Sequence, residues 1–117
     1  MARSAVTVQS LSAYNTSGTV TKDTVDIVNN HSIDVSGVKT SNLAIFIESS
    51  TTDPMTWAIK AGDFSDNGIG DLAVTSVTAL TQVLVLESAR FKDSDELILI
   101  DATGTDAAAT IFAVEIP

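Results

Sequence analysis

An all-β fold, a jelly-roll-like β-sandwich of about eight to nine short strands, is what this sequence predicts, and three observations predict it. Thr, Val and Ile make up about a third of the 117 residues, and β-branched side chains suit a pleated sheet better than a helix. Apolar and polar residues alternate with a period of two in several short segments. Clusters of Gly, Asp, Asn, Ser and Thr interrupt those segments at fairly regular intervals, as in a sandwich or barrel. The length suits a single domain, residues 1–117, burying roughly two-thirds of its unfolded surface.

Taken in order, Ala2 to Ser4 form a short N-terminal arm, and Val6 to Leu11 the first candidate strand. "TVDIV" and "SIDVS" alternate through Val25 and Ile27, then Ile33 and Val35. Asn29, Asn30 and His31 between them suit a tight hairpin, because Asn tolerates positive φ. In "MTWAIKA", Met55, Trp57, Ile59 and Ala61 share one face and Thr56, Ala58 and Lys60 the other, as a half-buried strand requires. Three runs, "LAIFIE" (43–48), "QVLVLE" (82–87) and "ELILID" (96–101), are apolar without alternation, which suits strands buried on both faces or an oligomer contact. Leu72 to Val77 and Thr110 to Ile116 complete the set. Two helical alternatives compete, at Thr75 to Lys92 and from Asp106 onward, where Asp could cap a helix. The four apolar residues in a row at Val83 to Leu86, and the β-branched content of 111–117, favour strands in both places.

Six basic against fifteen acidic side chains give a net charge of −9. That balance disfavours nucleic acid and anionic membranes, whose recognition rests on clustered Lys and Arg. The absence of cysteine removes disulfides and thiolate chemistry. "MARSAVTVQS" has no apolar leader-like core, and no run approaches the ~18 apolar residues of a membrane span. The expectation is a protein made and kept in a cytoplasm, or carried out of it within something larger. The sequons at Asn15 and Asn30 then have no meaning without a secretory route.

Candidate chemistry is sparse. In "AGDFSDNGIGDLAV" (61–74), Asp63, Ser65, Asn67, Gly68 and Asp71 fall at EF-hand spacing, but the twelfth position is Val74 instead of a bidentate Glu, and the flanks read as strands. The stretch is therefore read as a turn, with Gly68 and Gly70 supplying unusual φ, and no metal or cofactor is expected. His31, the sole histidine, reads as a polar turn residue; no Gly-x-Ser-x-Gly elbow accompanies it. Asp93, Asp95 and Glu96 sit too close in a charged loop for a glycosidase pair. The phase of Trp57 with Met55 and Ile59 assigns it to the core, not to a sugar platform.

The order of "VDIVNNHSIDV", "TWAIKAGD", "GIGDLAV", "LESARFKDSDELILID" and a closing "TIFAVEIP" resembles a group of small tailed-bacteriophage structural proteins, encoded near the major capsid protein and thought to decorate or cement the head. The resemblance implies a β-sandwich, a place on the virion capsid surface, the major capsid protein as partner and no enzymatic activity. Homo-oligomers are expected from the apolar runs, which a small subunit does not easily bury alone. Arg3 in the arm, Arg90 as a cation for an acidic neighbour, and Phe91 beside it are the expected capsid or subunit contacts. The rival reading is a carbohydrate- or cell-surface-binding module, a role β-sandwiches also fill.

Overall fold

Two five-stranded sheets pack face to face in the computed structural model, which describes residues 2–11, 17–49, 55–62, 70–75 and 80–117. In chain order the strands are β1 (Ser4–Ala5), β2 (Val8–Ser10), β3 (Asp23–Thr24), β4 (His31–Asp34), β5 (Leu43–Glu48), β6 (Met55–Ile59), β7 (Leu72–Thr75), β8 (Thr81–Leu84), β9 (Leu97–Gly104) and β10 (Thr110–Glu115). Sheet A runs β1-β4-β9-β6-β7 and sheet B β2-β10-β5-β8, with β3 sharing the outer edge of β10 with β2.

Without the first two strands, the order is 4-9-6-7 in one sheet and 3-10-5-8 in the other, and every neighbour is antiparallel. This is the eight-stranded jelly roll, two Greek keys wrapped into a sandwich. β1 and β2 add to it by parallel pairing, β1 on β4 and β2 on β10. Only Val6 and Thr7 separate them, so the N-terminal segment steps from one sheet to the other within two residues.

Alternation decides which side chains enter the core. Met55, Trp57 and Ile59 of β6 point inward beside Ile98, Ile100 and Ala102 of β9; Leu43, Ile45 and Ile47 of β5 meet them from sheet B. Trp57 is fully buried, as its phase predicts. The "AGDFSDNGIGDLAV" stretch joins β6 to β7, which pair antiparallel with Trp57 opposite Val74; among the eight jelly-roll strands β3–β10 it is the one connection that stays within a sheet. Residues 63–69, with Asp63, Ser65, Asn67 and Gly68, lie outside the described residues. At the near end of that connection Gly62 donates its N–H to Arg90 O (2.8 Å), and a Cβ there would lie 2.1 Å from Lys92 O, so no other residue fits.

Two local expectations change. The Asn29–His31 connection is tight, with Asn30 at φ 63°, but it is not a hairpin: β3 belongs to sheet B and β4 to sheet A. Local pattern identifies a turn and cannot say which sheet receives the next strand. The "QVLVLE" run is not buried on both faces; β8 is an edge strand whose outward side chains are exposed. In keeping with the preference for strands over helix, helix among the described residues is confined to a 3₁₀ turn at Thr40–Asn42 and one turn, α1, at Ser88–Phe91. Asp106 caps a turn instead of a helix, its carboxylate accepting the Ala108 N–H at 3.2 Å.

Candidate interaction surface

The residues expected to make contacts prove to be engaged within the subunit. Arg3 Nη1 lies 2.6 Å from Asp101 Oδ1 and 3.2 Å from His31 O, which ties the start of the chain across β4 to β9. Ser4 and Ala5 continue as β1, so among the described residues Ala2 and Arg3 precede the first strand. Phe91 is 4% exposed and belongs to the core; its ring is not available to a partner. Arg90 lies over that ring, 4.7 Å from its centroid, and its Nε donates to Gly70 O at 3.2 Å. The guanidinium thus braces the base of the β6–β7 connection. There Lys60 Nζ meets Asp71 Oδ2 at 2.6 Å, and Asp71 Oδ1 accepts the Ala61 N–H at 2.6 Å. The Lys60 ammonium and the Ala61 N–H hold the Asp71 carboxyl below its usual range, and Asp71 in turn raises the Lys60 pKa. Both Asp71 oxygens are occupied, which fits a clamp on the connection.

Sequence reasoning missed the network behind the arm. His31 is 1% exposed, not a solvated turn residue. Its Nε2 accepts the Asp26 N–H (2.9 Å), and its Nδ1 faces Ser4 O (3.2 Å), so neutral imidazole with the proton on Nδ1 satisfies both sides. Burial pushes the His31 pKa down from its ordinary value. The Asp26 carboxylate accepts the Val28 and Asn29 N–H groups, the Asn29 amide and the Ser4 hydroxyl, and these donors hold its pKa far below the carboxylate range. Local sequence carries no sign of a network joining residues 3, 4, 26, 31 and 101.

The outward faces of the two sheets differ in chemistry. On sheet A, Asp34, Lys60 and Asp101 alternate with the buried positions, joined by Arg3 and Asp71. On sheet B the outward register runs Phe112–Phe46–Val83, with Val114–Ala44 in the next row. The two rings stack at 4.8 Å with 12° between planes. Lys22 Nζ sits 5.6 Å from the Phe112 centroid and 2.8 Å from Glu48 Oε1, a neutral pair at the rim that lowers the Glu48 pKa. A shallow depression of about 190 Å³ between Leu43, Ala44, Val85 and Ile116 extends the apolar surface toward the C-terminus.

That surface ends at β8, which among the described residues pairs with β5 alone. Leu80, Val83 and Val85 are 57%, 56% and 67% exposed, and no charge occurs between Leu72 and Leu86. Large apolar side chains are thus left in water beside an uncharged strand edge. Among the described residues no group of three or more His, Cys, Asp or Glu side chains could hold a metal, and no helix is long and apolar enough to cross a membrane. No protein-family model, no curated protein and no solved structure matches the chain.

Proposed function

We propose that this chain is a non-enzymatic virion structural protein that decorates and stabilises a phage capsid, binding the major capsid protein on the outside of the shell as a small homo-oligomer. The observation that carries the reading is the apolar outer face of sheet B with its uncharged edge, on a chain of net charge −9. Such a face fits a protein partner, while the acidic balance fits neither a phosphate backbone nor an anionic bilayer. Burial of Trp57 in the core leaves it no part in sugar stacking, which weakens the glycan-binding rival. A lattice presents many copies of its site, so linked subunits gain avidity and each contact can stay small.

The test is co-sedimentation of the protein with empty heads of the phage that encodes it. The expected result is saturable binding to the shells and none to free DNA. Protein that ignores the heads and pellets with purified cell-wall glycan would overturn the proposal in favour of a surface-binding module.

A further inference from the structure

The β8 edge has a more specific geometry than an apolar patch. Leu80 O accepts the Ser49 N–H at 3.2 Å, and Thr81 to Leu84 pair antiparallel with Glu48 to Ile45. In an antiparallel ladder, residues alternate in the direction of their backbone groups. Leu80, Gln82 and Leu84 therefore address β5, while Thr81, Val83 and Val85 turn their N–H and C=O groups to the other side. Among the described residues no backbone bond reaches that side. Exposed strand edges are commonly protected by Lys, Pro or a bulge, and residues 80–86 contain neither Lys nor Pro.

The geometry points to a second copy of this chain as the occupant, its β8 pairing antiparallel with the first across a twofold axis through Val83. In that register Val83 faces the partner's Val83, Thr81 faces the partner's Val85, and Gln82 faces the partner's Leu84. Residues 81–85 carry no charge, so no like charges oppose one another along the ladder. Six backbone groups on each copy gain partners, and sheet B becomes a continuous ten-stranded sheet. Two chains of charge −9 repel over most of their surfaces, and this neutral stretch is where they can approach. The pairing also makes the Phe46–Phe112 face continuous with its twofold mate. The molecule measures 39 × 35 × 24 Å, so a side of the sandwich together with the margin of its face offers the ~800 Å² per partner that a stable pair needs.

This inference rests on the proposed oligomer and is separable from the capsid, because head binding tests one and mass in free solution the other. Light scattering with size exclusion over a concentration series should give twice 12.2 kDa. The chain has no cysteine, so Val83→Cys introduces its sole thiol. Opposed residues in a hydrogen-bonded antiparallel pair lie about 5.5 Å apart at Cα, within the ~4.4–6.8 Å that a disulfide spans. Val83→Cys should therefore form a covalent dimer under mild oxidation far faster than Thr103→Cys, on the outer face of sheet A. Val83→Lys should keep the circular dichroism spectrum and weaken dimerisation at least ~10-fold by setting two like charges together. A wild-type protein of 12.2 kDa at every concentration, or a dimer that survives Val83→Lys, would overturn the pairing. So would a monomer whose Val83→Lys variant loses only its binding to heads, since that assigns the edge to the capsid protein.

Discussion

The two sides of the sandwich treat their strand edges in opposite ways. On one side the N-terminal segment closes β4 with β1 and β10 with β2, and is itself held by Arg3 on Asp101 and by Ser4 on Asp26 and His31. On the other side β8 ends sheet B with exposed valines and no charge. An edge can be made safe by covering it or by giving it a partner. The fastened side is covered by a segment held with polar bonds, whereas the bare side leaves apolar side chains in water.

The largest expected effect in this comparison comes from the fastened side. Val6 is buried between β1 and β2, and its N–H donates to Ser32 O at 2.8 Å. Val6→Ala keeps the bond and removes the packing, so urea unfolding should show a loss of about 2 kcal/mol. A change under ~0.5 kcal/mol would mean that the N-terminal segment contributes little to the fold.

Acid should act next, and on the same side. The folded pKa of His31 lies below its ordinary 6.5, so the unfolded chain binds the extra proton. Stability is then full above pH 6.5 and falls as the pH drops below it. Asp26, Asp34, Glu48 and Asp71 are also depressed and add a second loss below about pH 4, where the unfolded carboxylates begin to protonate. Melting curves from pH 8 to 3 should decline in two stages. The upper stage should lower Tm as the pH falls from 7 to 5 and should vanish in His31→Gln. A flat curve between pH 7 and 5 would show that His31 does not hold the seam.

The smallest effect belongs to the bare side. Val85→Thr keeps the β-branched shape on an exposed position of the run beside β5, and monomer stability should move by no more than about 0.5 kcal/mol. A larger loss at a concentration below dimerisation would mean that Val85 packs within its own subunit.

Much of this fold was legible because burial leaves a local trace. Met55, Trp57 and Ile59 alternate with Thr56 and Ala58, and the strand they predict is β6. The runs at 43–48 and 96–101 became the central strands β5 and β9. The run at 82–87 looks the same in sequence and became an edge, because what covers a strand is settled by topology and not by its own residues. The same reason hid the site. His31 stands in a stretch that reads as a polar turn, and it is buried because a segment 27 residues earlier lies against it. Phe91 reads as a ring interrupting a polar loop, and one helical turn directs it into the core. Arg3 was singled out for its charge, but the acid it meets is 98 residues away.

The parallel pairing of β2 with β10 also bears on the order of folding. Val8 lies opposite Ala113 and Ser10 opposite Glu115, so β2 waits for residues about a hundred positions later in the chain before it can dock. Loop closure over so long a separation makes such contacts slow to form. Until then β2 has no strand to pair with in sheet B, and nascent chains on neighbouring ribosomes are at risk of pairing with one another through it. Loop closure, rather than the equilibrium stability of the finished sandwich, then sets how long β2 stays unpaired.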